Sequence, residues 1–128
     1  MALREIIFRG KLTDSDEWVY GDIAHHDGVI SYIGQHPVDG SMLCYDLIPE
    51  TVGQFTGLKD KNGNKIFEGD IVNVNTNKDT FYHIYQGRNL VIRFDEYHRF
   101  VASGRLEYPL CNHYEWEVIG NVWDSKEA

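Results

Sequence analysis

Long apolar runs are missing from this chain. Leu90 to Ile92 is representative of those present, far short of the about 20 residues that a membrane-spanning helix requires. The opening residues, Met1-Ala2-Leu3-Arg4-Glu5, lack the apolar core of a secretory leader and pass directly into a strand-like pattern. Cysteine is scarce as well. Cys44 and Cys111 stand alone, without a CxxC or a framework spacing, which predicts two free, buried thiols rather than a disulfide scaffold. These absences lead to the expectation of a cytoplasmic protein that makes no membrane contact. Basic charge is also in deficit, with 12 Lys and Arg against 20 Asp and Glu and a formal net charge of −8. Such a field opposes binding to a phosphate backbone, which Lys and Arg normally supply by displacing counterions.

What is present is a series of short alternating runs. The 128 residues suit a single domain, and 42% hydrophobic against 25% charged residues is the balance of a globular chain. Ile6 and Phe8 alternate with charged neighbours, and Trp18 and Tyr20 do the same after Thr13-Asp14-Ser15-Asp16, predicting an N-terminal hairpin. Val29 to Ile33 follows a His25-His26-Asp27-Gly28 turn, and Leu43 to Ile48 ends at Pro49. Asn62-Gly63 reads as a hairpin tip with Gly63 at positive φ, because that pair tolerates the backbone a tight hairpin needs. Val72 and Val74 share one face, and Trp116, Val118 and Val122 share another. Phe8, Trp18, Val72, Val74, Val118 and Val122 are therefore the predicted core. Phe81 to Tyr85, Leu90 to Phe94 and Tyr97 to Ala102 are further β-prone runs, and no window carries an amphipathic helix of ten residues. Even spacing of many short strands predicts a small barrel or packed sheets.

Three segments resemble the YopX family of small phage- and prophage-encoded proteins. The longest runs from Ile48-Pro49-Glu50-Thr51-Val52-Gly53 through Gly57-Leu58-Lys59-Asp60-Lys61-Asn62-Gly63 to Ile66-Phe67-Glu68-Gly69-Asp70-Ile71-Val72. Arg4 to Lys11, continuing to Trp18-Val19-Tyr20-Gly21-Asp22, resembles the family's opening, and Tyr114 to Asn121 its close. The resemblance implies an α+β, mainly β fold with little helix, in which a small SH3-like barrel follows Gly69-Asp70-Ile71-Val72. One domain over 1–128 is expected: a hairpin region at 1–50, a barrel-like region at 51–124 and a frayed tail at 125–128. The resemblance also implies a bacterial host cell as the setting, and it supplies no activity, cofactor or catalytic residue.

Motifs for chemistry are equally thin. Cys111-x-His113 and the scattered histidines lack the paired spacing of a zinc site, so no metal is expected. Asp60-Lys61-Asn62-Gly63-Asn64 has its glycine fourth, not sixth as a calcium loop needs, and Ile71 stands where the bidentate Glu belongs. No GxSxG, Walker loop or dinucleotide fingerprint occurs, so neither catalytic residue nor cofactor is assigned. The cluster that stands out is aromatic: Tyr82, His83 and Tyr85, then Tyr97, His98 and Arg99. Strand alternation cannot bury all of them, and Tyr with Arg favours interfaces; cross-strand covering of a core is the plain alternative. The expected role is a non-enzymatic module that binds a phage or host protein or forms a homo-oligomer. Nucleic-acid binding through Lys78, Arg88 and Arg99 is the second reading, disfavoured by charge, and a minor hydrolase the third.

Overall fold

Alternation in the sequence becomes strand almost wherever it occurs. The computed structural model describes residues 5–75, 86–112 and 114–124. In chain order these form β1 (Phe8–Lys11), β2 (Trp18–His26), β3 (Val29–Gln35), β4 (Met42–Asp46), a one-turn 3-10 helix (Pro49–Thr51), β5 (Gly53–Lys59), β6 (Lys65–Phe67), β7 (Asp70–Asn75), β8 (Gln86–Phe94), β9 (Phe100–Ser103), β10 (Glu107–Pro109) and β11 (Glu115–Asn121). Two antiparallel sheets result, ordered β4-β3-β2-β1-β5-β6 and β10-β9-β8-β7-β11. The protein is mainly β. The α component expected beside the strands is absent among the described residues, where the Pro49 turn is the one helical element. None of the described helices is long and apolar enough to cross a membrane. The chain divides into two compact units, residues 1–55 and 56–128.

In the first unit, β1 and β2 form the expected hairpin, with Phe8 opposite Gly21 and Lys11 opposite Trp18. β2 continues through His25 and His26, so the turn begins at Asp27, two residues later than the sequence suggests. Asp27 and Gly28 supply the positive φ values that this turn needs. Tyr32 lies across Gly21 and Gly34, where a Cβ would overlap its ring, and stacks parallel to Tyr45 at 6.3 Å. Aromatic cover of strand glycines of this kind restores packing that the missing side chains forfeit. After β4 the chain returns to β1. Leu12 bridges Leu47, the Thr13 N–H donates to the Asp46 carbonyl, and the Ile48 N–H donates to the Lys11 carbonyl. Trp18 is half-buried rather than core, and the charged ends of Arg9 and Lys11 lie over its ring, 4.6 and 5.4 Å from the ring centroid. Phe8 is half-buried as well. Cys44 is exposed, contrary to expectation, because β4 is an edge strand. In the second unit Cys111 is only half-buried.

The second unit holds the main core, in which Ile66, Val72, Val74, Leu90, Ile92, Ala102, Tyr108 and Trp116 pack together. Among the described residues its five-stranded sheet does not close into the expected barrel. The ladder ends at β10 and β11, and β10 is three residues long and finishes in Pro109, which has no N–H to extend a ladder. Side chains take over where hydrogen bonds stop: Tyr108 meets Tyr114 edge-on at 6.5 Å, and Tyr114 meets Trp116 at 5.9 Å.

Two bulges shape this sheet. Val118 opposes Val72 while Gly120 opposes Ile71, so Ile119 is an extra residue and the inward face changes after it. Val122, beyond the bulge, is consequently exposed although it was expected in the core, whereas Val118, before it, is half-buried and packs against the core cluster. On β8, Val72 opposes Leu90 and Val74 opposes Gly87. Arg88 and Asn89 thus face Asn73 alone, and the Asn73 Oδ1 accepts the Asn89 N–H at 3.0 Å. Gly87 is required sterically, since a Cβ there would lie 2.8 Å from Leu90, 2.9 Å from Val74 and 3.0 Å from Tyr108. Gly87→Ala should therefore cost about 1–3 kcal/mol by overpacking, read as a lower urea midpoint; an unchanged midpoint would show that this corner has slack.

Candidate functional site

β8 and β9 run antiparallel and end with Phe94 opposite Phe100. The five residues that join them, Asp95-Glu96-Tyr97-His98-Arg99, form a turn. Tyr97, His98 and Arg99 therefore sit on a hairpin tip and not on a strand as the sequence suggested. Tyr82, His83 and Tyr85 lie outside the described residues, as does Lys78.

The tip is organised by one carboxylate. Asp95 Oδ1 accepts the backbone N–H groups of Tyr97 and Arg99 at 3.0 and 2.9 Å. Its Oδ2 accepts Nε and Nη2 of Arg99 at 3.0 and 2.9 Å, so a single guanidinium binds one oxygen through two donors. The Asp95 N–H donates to the Arg99 carbonyl and the His98 N–H to the Asp95 carbonyl. Burial pushes the Asp95 carboxyl up, but the N–H groups and charge of Arg99, with the Tyr97 N–H, outweigh it and hold the pKa below the ordinary carboxylate range. The same bonds raise Arg99 further above its ordinary value.

An identical scheme builds the Asn62-Gly63 turn. Asp60 Oδ1 accepts the N–H groups of Asn62 and Asn64, the Asp60 N–H donates to the Asn64 carbonyl, and the Gly63 N–H donates to the Asp60 carbonyl. Gly63 has φ 86° as expected, and His98 occupies the corresponding place at φ 65°. A histidine tolerates that region less well than glycine. His98→Gly should accordingly leave stability unchanged or raise it by a few tenths of a kcal/mol, whereas Gly63→Ala should lower it by about 1 kcal/mol. Thermal melts of the two variants check the pair, and destabilisation by both would contradict the shared geometry.

This anchored turn presents an apolar and aromatic surface to solvent. Phe94 is 46% exposed and Tyr97 70% exposed. Phe94 packs on Phe100 at 4.9 Å and on His98 at 6.0 Å, and the Arg99 guanidinium lies 5.4 Å from the Tyr97 ring centroid. Beside it runs an open groove of about 470 Å³, bordered by Leu58, Arg99, Phe100, Pro109 and Leu110. Sequence reasoning identified Tyr97, His98 and Arg99 but missed Phe94 and the organising role of Asp95. The available signal was the repeat of Asp with a bonded residue four positions on, which Asp60 and Asn64 share with Asp95 and Arg99.

Arg99 is committed to Asp95, which removes it from the set of free cations. The Glu117 carboxylate lies 3.8 Å from the Lys61 ammonium. No group of three His, Cys, Asp or Glu side chains is placed to hold a metal among the described residues.

Fold and site together define a mainly-β protein of two antiparallel sheets whose most distinctive surface is an aromatic hairpin tip. The YopX family model, described as YopX protein, matches residues 7–127. The chain belongs to the YopX family. Comparison with curated proteins and with solved structures gives no match.

Proposed function

We propose that this chain is a non-enzymatic phage or prophage accessory module that works by protein association through the β8–β9 tip, with a second copy of the chain as the occupant. The observation that carries the reading is the exposure of Phe94 and Tyr97 on a turn whose backbone is fixed by Asp95. Aromatic side chains on a rigid support lose little entropy on docking and bury large areas. Charge distribution supports self-association through the second unit. Residues 1–55 hold three Lys and Arg against nine Asp and Glu, whereas 56–128 hold nine against eleven. Two copies therefore repel least through the second unit.

Phe94→Ser combined with Tyr97→Ala should weaken self-association about 10-fold or more, measured by light scattering on a sizing column. The melting curve of that variant should match the parent. Arg88→Gln on β8 with Arg105→Gln in the β9–β10 turn, both away from the tip, should leave association unchanged. Loss of association only in the arginine variant, with steep salt dependence, would favour a nucleic-acid partner instead.

A further inference from the structure

The second unit has four described arginines, and two of them are already held. Arg93 donates to Glu107 at 2.9 Å and to Ser103 at 2.8 Å, and Arg99 is bound by Asp95. Arg88 and Arg105 have no such contact among the described residues, yet both line one cavity of about 580 Å³. The other described lining residues are Gly87, Leu90, Leu106 and Tyr108, so among the described residues no acidic side chain shares it. The fold places both cations deliberately. Arg88 stands in the β8 bulge, a device that re-aims a side chain away from the strand's alternation. Arg105 stands in the turn between β9 and β10, where the Gly104 N–H donates to the Leu106 carbonyl. Gly87 and Gly104 make this arrangement possible, since a Cβ at either would drive into Leu90 on the cavity floor.

We infer that this cavity is a binding site for an organic phosphate, a phosphate monoester carried on a compact apolar or planar body. Two planar guanidinium groups match a phosphate dianion better than a point charge does, and each can donate two parallel hydrogen bonds. Leu90, Leu106 and Tyr108 supply the apolar wall for the attached body, and the volume lies in the range of small-molecule sites, about 300–1,000 Å³. A second cavity that Arg88 borders is smaller, about 170 Å³, and is lined by Glu115, Glu117 and Lys61 as well. Its carboxylates make it the poorer place for an anion. Among the described residues the lining of the larger cavity includes no carboxylate, histidine, serine or cysteine, so the role assigned is binding. The site is independent of the hairpin tip, roughly 20 Å away along β8 at about 3.4 Å per residue.

Titration calorimetry with adenosine monophosphate, adenosine, inorganic phosphate and a short oligonucleotide with and without a 5′-phosphate tests the assignment. Adenosine monophosphate should bind at least about 10-fold more tightly than adenosine. Arg88→Gln and Arg105→Gln should each weaken it by about 10-fold or more, with melting curves unchanged. Leu106→Glu should also weaken it, by placing a like charge at the rim. Preference for the 5′-phosphorylated oligonucleotide over the mononucleotide would identify a strand end as the source, and the reverse a free nucleotide; either supports the site. Equal affinity for adenosine and its monophosphate, affinity unchanged in the double arginine variant, or no heat with any phosphate probe into the millimolar range would overturn it.

Discussion

Replacing Asp60 by alanine should cost about 3 kcal/mol or more. Asp60 is only 6% exposed. Its carboxylate accepts from the backbone of Asn62, Asn64 and Val118, each at 2.9 Å, and from the Asn64 side-chain amide at 3.4 Å. The bond to Val118 joins residues 58 apart in sequence, so one side chain ties the β5–β6 turn to β11. The Lys61 N–H donating to the Trp116 carbonyl lies beside it. Truncation leaves several N–H groups without their acceptor, and a hydrogen bond to an ionised group contributes about 1.5–3 kcal/mol net of exchange with water. Asparagine should recover part of the loss, because its carbonyl keeps one acceptor. Urea unfolding followed by tryptophan fluorescence measures both variants, and a loss below about 1 kcal/mol for alanine would contradict the bracing role.

The same carboxylate makes a prediction in pH. Burial pushes the Asp60 pKa up, but the N–H groups of Val118, Asn64 and Asn62 and the Asn64 amide prevail and hold it below the ordinary value. A depressed folded-state pKa means that the unfolded chain takes up the proton first. The stabilisation is therefore complete above the unfolded carboxylate range and is lost as pH falls through the folded pKa. Asp95 shifts in the same direction, so acid should loosen both anchored turns together. Asp60→Asn should flatten the acid limb of the stability profile, and an identical limb in that variant would count against the assignment.

Trp116→Ala should cost about 3–5 kcal/mol through lost burial and a residual cavity. Trp116 is 3% exposed in the centre of the core, and its indole Nε1–H donates to the Cys111 carbonyl at 2.8 Å. That bond fixes the chain between β10 and β11 where the sheet ladder stops, so Trp116 joins core packing to loop closure. Trp116→Phe keeps most of the volume and strands the carbonyl, and about 1–2 kcal/mol is expected. Equal costs for Phe and Ala would show that the hydrogen bond, rather than the volume, carries the effect.

Most of the strand pattern was legible in the sequence because period-two alternation and Gly, Asn and Asp turns are local signals. The β5–β6 hairpin followed from Asn62-Gly63 alone. The β8–β9 tip escaped the same reading because His98 fills the positive-φ position that glycine usually marks. Val122 was misplaced because a bulge at Ile119 reverses the inward face after Val118, and a bulge leaves alternation on either side intact. Barrel closure was overestimated because it depends on whether two distant edges meet, and Pro109 ends one of them. The pairing of Arg88 with Arg105 was invisible for a similar reason: a bulge aims one and a turn aims the other. Arg99 was counted among the nucleic-acid candidates because its partner Asp95, four residues away, reads as a solvated turn acid.

The central claim is that the tip built from Phe94, Tyr97 and the Asp95-anchored turn is a self-association surface. Sedimentation velocity of the unmodified chain across a wide concentration range tests it most directly. The account predicts that the weight-average sedimentation coefficient rises with concentration, with little dependence on salt, and that Phe94→Ser with Tyr97→Ala removes the rise. A single species of 14.8 kDa at every concentration, or association that survives loss of both aromatic side chains, would contradict it.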